Sequence, residues 1–127
     1  MNAKEIKVLM VEPGQHPKVV MLKDDLDSLQ KAVSIGADYQ GLIEFVSLGN
    51  DDCLMCNEEG KLIGMEGNRR LGHDILVGVF YIMSENDEGE LLSLSEEKIR
   101  YYSERFWEPE SFTKQEIDAT IGGFFVG

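Results

Sequence analysis

A chain of 127 residues with 43% hydrophobic content is long enough to bury one domain-sized core without disulfides or a structural metal. Its 24 acidic residues against 12 basic ones leave a formal charge of -12, which repels nucleic-acid backbones and anionic membranes and argues against direct binding of either. Residues 1–7 lack the apolar centre of a secretory leader, and no apolar run approaches the ~20 residues that cross a bilayer, so the expected compartment is the cytoplasm.

Ile6 to Val11 is apolar and β-branched enough for a strand near the middle of a sheet, and it stops at the turn Glu12-Pro13-Gly14. Pro17 to Leu22 follows as its hairpin partner. Asp24 or Asp25 caps a helix whose Leu26, Leu29 and Val33 recur at helical spacing, and Gly36 suits its carboxyl end. Gly41 to Leu48 is a third strand, broken by Gly49-Asn50-Asp51-Asp52. Cys53 to Cys56 is predicted to pair with Lys61 to Met65 through the turn Asn57 to Gly60, which leaves Asn68-Arg69-Arg70 in the loop beyond. An odd separation along a strand points Cys53 and Cys56 to opposite faces, so they read as two reduced, packed thiols. A zinc site would need two further ligands, with His16 and His73 the only histidines, and neither a metal nor a cofactor is expected.

Ile75 to Met83 is the longest apolar run and reads as one central strand buried on both faces. The acidic segment Ser84 to Glu90 is a solvated loop. Ser95 then caps a helix, with Leu94 and Ile99 as a hydrophobic staple, an apolar face of Ile99, Tyr102 and Phe106, and Pro109 ending it just beyond Trp107. A Thr113 to Glu116 capping box and a Phe112 to Ile117 staple open a short helix that Gly122-Gly123 closes. The apolar Phe124-Phe125-Val126 either packs back on the domain or meets another subunit. The sum is a single α+β domain over 1–127: a mostly antiparallel sheet of about five or six strands, two main helices and a short C-terminal helix.

Patterns for catalysis are missing. No serine sits in a Gly-x-Ser-x-Gly setting, the Gly60-Lys61 step lacks the rest of a phosphate loop, and carboxylates are too abundant for any pair to be diagnostic, so the chain is read as a non-enzyme. Positive charge is scarce and is concentrated at Asn68-Arg69-Arg70 with His73. Guanidinium forks suit phosphate or carboxylate groups and a neighbouring amide reads a polar edge, with Lys61 and Lys18 joining if the hairpins converge. The plain alternative is that both arginines neutralise acids such as Glu66 and Asp74. Tyr101 and Trp107 exceed what one face of the late helix can bury; they cover the sheet edge, anchor a partner or wall a stacking pocket. Glu12 to His16 offers a second loop with polar side chains and exposed amides, and as a plain hairpin turn it needs no function.

The opening Val8-Leu9-Met10-Val11-Glu12-Pro13-Gly14, the Cys56-Asn57-Glu58-Glu59-Gly60-Lys61-Leu62 turn, the Asn68-Arg69 step and the Asp74-Ile75-Leu76-Val77-Gly78 strand occur in this order, followed by the Leu94-Ser95-Glu96-Glu97 helix start. Together they resemble the family catalogued as domain of unknown function 3846, over about residues 5–107, with 108–127 as an extension. Where that family has a proline before Asn-Arg, this chain has Glu66-Gly67. The resemblance implies a small α+β protein carried by phages and other mobile elements of bacteria, hence a bacterial cytoplasm and a setting of counter-defence.

The function expected first is sequestration of a phosphorylated, nucleotide-derived small molecule. In it Lys61, Arg69 and Arg70 hold phosphate with His73 beside them, Asn68 reads a polar edge, and Tyr101 or Trp107 stacks. The alternative is an acidic inhibitor or DNA mimic that binds a host restriction or CRISPR nuclease through Asp51, Asp52, Glu85, Asp87 and Glu88. A homo-oligomer is expected, because so small a chain has limited wall area to enclose a phosphorylated ligand by itself, with Phe124-Phe125-Val126 and Trp107 at the contact.

Overall fold

The computed structural model describes residues 4–121. In chain order these form β1 (Glu5–Val11), β2 (Lys18–Lys23), α1 (Leu26–Ala32), β3 (Ile43–Gly49), β4 (Asp52–Asn57), β5 (Gly67–Leu71), β6 (Asp74–Val77), β7 (Phe80–Glu85), β8 (Leu91–Leu92), α2 (Glu96–Arg105) and α3 (Lys114–Asp118). The main sheet is antiparallel with the order β2-β1-β7-β4-β3, β8 pairing the end of β7, while β5 and β6 make a separate hairpin. The fold is α+β.

Strand alternation builds two apolar layers from the same three central strands. Ile6, Val8 and Met10 of β1, Cys53 and Met55 of β4, and Tyr81 and Met83 of β7 face α1, which covers them with Leu29 and Ala32 and, at its carboxyl cap, Val33. Leu9, Val11, Leu54, Cys56, Phe80 and Ile82 face the other way, against Leu94, Tyr102 and Phe106. The two thiols therefore lie on opposite faces, both buried and free. Burial raises their pKa values to about 11 for Cys53 and about 12 for Cys56, with Glu85 and Glu44 adding to it.

The helix signals hold where they are local. Asp25 caps α1 by accepting from Ser28 N at 2.7 Å, Ser95 caps α2 through Lys98 N at 3.2 Å, and Thr113 and Glu116 form both halves of a capping box on α3. Leu26 is the exception on α1: it is exposed, because only Leu29 and the residues after it reach the sheet. Gly122-Gly123 and Phe124-Phe125-Val126, with the contact assigned to them, lie outside the described residues.

Two of the predicted strands are corrected. Lys61 to Met65 is not a strand: Glu58 to Gly64 coils in successive turns, closed by Ile63 N to Glu59 O at 3.0 Å and Met65 N to Gly60 O at 3.0 Å. Both edges of β4 are already taken, by β3 and β7, so no place is left for a second hairpin arm. Ile75 to Met83 is two strands and not one, because Gly78 takes a φ of 68° and sends β6 out of the main sheet to pair with β5. Asn68-Arg69-Arg70 thereby becomes strand β5 and not a loop, and β8 is an additional short strand after the acidic loop.

Candidate functional site

The strand setting of β5 decides the fate of the basic cluster. Asn68 and Arg69 are both fully buried. Asn68 donates through Nδ2 to Val11 O at 2.9 Å and Gly78 O at 2.8 Å, tying β5 to β1 and to the kink between β6 and β7. The Arg69 guanidinium donates to Phe106 O at 2.9 Å, to Asn68 Oδ1 at 2.7 Å, to Asn68 O at 3.2 Å and to Gln15 O at 2.5 Å. Among the described residues no carboxylate lies within ion-pair distance of it, so this cation is held by neutral carbonyl and amide oxygens. Desolvation pulls its pKa down, with Glu110 and Glu108 opposing. Arg69 thus joins the carboxyl end of α2, the β1–β2 turn and β5, and its donors face inward.

The remaining sequence-predicted residues do not close on one point. Arg70 faces outward, its guanidinium 5.5 Å from the centroid of the Phe112 ring. Lys61 is held by Asp74 and by Thr120 Oγ1, the latter at 2.7 Å, and Lys18 pairs with Glu12 at 3.4 Å. His73 is exposed at the tip between β5 and β6. Tyr101 is exposed and meets Tyr102 edge to face at 5.0 Å. Trp107 stacks on His16 at 4.0 Å, and His16 Nδ1 lies 2.7 Å from Trp107 O, so the polar loop after β1 clasps the end of α2 beside Arg69.

Two concavities each gather three carboxylates. The first, a cleft of about 340 Å³, runs from the Glu44 end of β3 to Thr120 and Ile121 beyond α3; Glu44, Glu58, Asp74 and Lys61 line it over a floor that includes Cys56 and Ile75. Three carboxylates against one lysine already paired with Asp74 make it a place for positive charge. The second lies at the opposite end of β3 and β4. Glu85 N donates to Asp51 O at 2.8 Å, which joins the β3–β4 turn to the end of β7, and Asp51, Glu85 and Asp87 ring a hollow of about 470 Å³ together with Lys98, which is paired with Asp52. Glu88 stands exposed beside them, its N–H accepted by Asn86 Oδ1 at 2.9 Å.

Asp52 departs from the role sequence assigned to it. It is 2% exposed and accepts from Ser84 Oγ at 2.8 Å, Lys98 Nζ at 2.7 Å and Tyr102 OH at 2.8 Å, so it fastens α2 to the sheet and offers nothing to a partner. Burial, and then the bond to Asp52, push the Tyr102 hydroxyl well above the usual tyrosine range. The i,i+4 spacing of Lys98 and Tyr102 was the available signal: it puts a cation and a hydroxyl on one helix face, which calls for a buried acceptor opposite.

The sequence pattern of the domain of unknown function DUF3846 matches residues 6–107. The chain belongs to the DUF3846 family. No curated protein and no solved structure matches it. The DUF3846 region ends at Trp107, the residue stacked on His16, and so takes in both layers of the main sheet, the Arg69 clasp and the acidic end. The residues after it add α3, with Phe112 before it supporting Arg70 and Thr120 and Ile121 beyond it closing the first cleft. Among the described residues no group of three or more metal-ligating side chains converges, and no helix is long and apolar enough to cross a membrane.

Proposed function

We propose that this DUF3846 chain is a non-catalytic binding protein whose partner is a protein with a basic surface, of the kind that nucleic-acid-cleaving enzymes present to their substrate, and that it acts in counter-defence by covering that surface. One observation carries the reading: among the described residues ion pairing leaves most of the carboxylates unpaired, and several of these stand exposed at one end of the sheet. Six ion pairs among the described residues engage six of the 24 carboxylates, and the guanidinium of Arg69 is buried. Asp51, Asp87 and Glu88 stand together and exposed at one end of the sheet. A phosphorylated small molecule is supported less well, because the donors of Arg69 are spent inside and the cleft beside Lys61 holds three carboxylates that repel phosphate.

The test is binding to a panel of purified endonucleases, measured at two salt concentrations, for the protein and for Asp51→Lys with Asp87→Lys and Glu88→Lys. Binding that weakens as salt rises and is lost on charge reversal is the expected result. Asp52 is left intact because reversing it would unfasten α2. Binding to an endonuclease that survives the triple reversal, or a rise in melting temperature with a cyclic dinucleotide in place of any protein partner, would overturn the reading.

A further inference from the structure

The edge of the main sheet at β3 has a property the other edge lacks. β2 is flanked by Pro17 and carries Lys18 and Lys23 at its two ends, the devices that protect an edge from unwanted pairing. β3 runs Ile-Glu-Phe-Val-Ser-Leu-Gly for 7 residues with no lysine, no proline and a single charge, and its only strand partner among the described residues is β4. The direction of its backbone groups follows from the register. Glu58 N donates to Leu42 O at 2.9 Å, and Glu44 and Val46 stand opposite Cys56 and Leu54, so the even-numbered residues turn their N–H and C=O groups toward β4. The N–H and C=O groups of Ile43, Phe45 and Ser47 therefore point out along the open edge. Phe45 is 47% exposed there.

The two ends of this edge are acidic. At its start, Glu44 points to the face that holds the cleft with Glu58 and Asp74. At its finish, β3 runs into the turn that carries Asp51 beside Asp87 and Glu88. Seven residues span about 23 Å of extended chain, so one short segment of a partner can pair with the open backbone along its whole length and meet carboxylates at both ends. A second copy of the chain fits this edge poorly, since each copy carries a charge of -12.

We propose that β3 is a strand-addition site for an extended basic segment of the partner, which pairs through its main chain with Ile43, Phe45 and Ser47 and places a lysine or arginine side chain in the cleft of Glu44, Glu58 and Asp74. The main chain supplies the docking and the carboxylates select the charge. The inference rests on the basic-partner reading and says where and in what conformation the partner is recognised.

The probe is a fluorescein-labelled peptide of alternating arginine and valine, compared by anisotropy with the same sequence methylated at every backbone nitrogen, which keeps the charge and removes the donors. Against the full chain the methylated form should bind about tenfold or more weakly, and Ser47→Pro should weaken the plain peptide to a similar degree. Ser47 lends itself to this change because its N–H faces the open edge and not β4, and the melting temperature checks that the variant is folded. Equal binding of the two peptides would overturn strand addition while leaving the basic-partner reading in place, since charge alone would then suffice. Failure of the plain peptide to bind while an endonuclease does would also overturn it. A concentration-dependent dimer abolished by Ser47→Pro would show that a second copy takes the edge, and would sink the basic-segment assignment.

Discussion

Arg69 is a cation that has exchanged water for four oxygen-directed hydrogen bonds, and the geometry of the guanidinium is what makes this possible. A lysine at the same place has one nitrogen and cannot reach Phe106 O, Asn68 Oδ1 and Gln15 O together. Arg69→Lys is therefore expected to cost about 2–4 kcal/mol in chemical denaturation, because buried acceptors lose their donors. Asp52 is the mirror case, a buried carboxylate with three donors; Asp52→Ala should cost about 3 kcal/mol by the same measurement, and more than Asp51→Ala, whose side chain is exposed. The thiols test burial directly. With pKa values raised to about 11 and about 12, both stay protonated at neutral pH, so a disulfide exchange reagent should titrate neither in the folded protein and both once it is unfolded.

At the scale of elements, the helices depend on caps that the adjacent sequence supplies. Ser95→Ala should destabilise the protein by about 1 kcal/mol, since Lys98 N loses its acceptor. The Asp25 cap has a pH signature. Its carboxyl is held below the ordinary value of 3.8 by the hydrogen bonds from Ser28, so the stabilisation is present above that value and is lost as the pH falls through and below it. The stability difference between the protein and Asp25→Ala should accordingly shrink on acidification toward pH values of about 3. Gly78 sets the path of two strands at once. A side chain there meets both a φ of 68° and the Met65 sulfur 2.6 Å from the Cβ position, so Gly78→Val should cost about 2 kcal/mol or more and weaken the pairing of β5 with β6.

For the whole molecule the dominant quantity is a charge of -12 spread over a chain of 127 residues. Like charges at this density oppose the compact state, and salt screens them, so the thermal midpoint should rise when sodium chloride is added at neutral pH. The proposed function and the proposed use of the β3 edge both rest on this charge, which opposes contact with phosphate backbones. The layered sheet provides the rigid support: β1, β4 and β7 are covered on both faces, and the open edge of β3 stands at the border of these layers.

Local sequence determined what local physics controls. The first hairpin, the caps at Asp25, Ser95 and Thr113, the opposed thiols of β4 and the acidic character of the surface were all legible, because turn chemistry, capping and strand alternation act over a few residues. Tertiary structure decided the partners. Whether Lys61 to Met65 could be a strand depended on β4 having a free edge, and β3 and β7, distant in sequence, already held both. Whether Arg69 served a ligand or the core depended on four oxygens from Gln15, Asn68 and Phe106 meeting at one guanidinium, with Gln15 and Phe106 more than thirty residues away along the chain. A charged side chain carries the same formal charge in the sequence in either setting; only the burial of the strand it sits on distinguishes a clasp from a binding site.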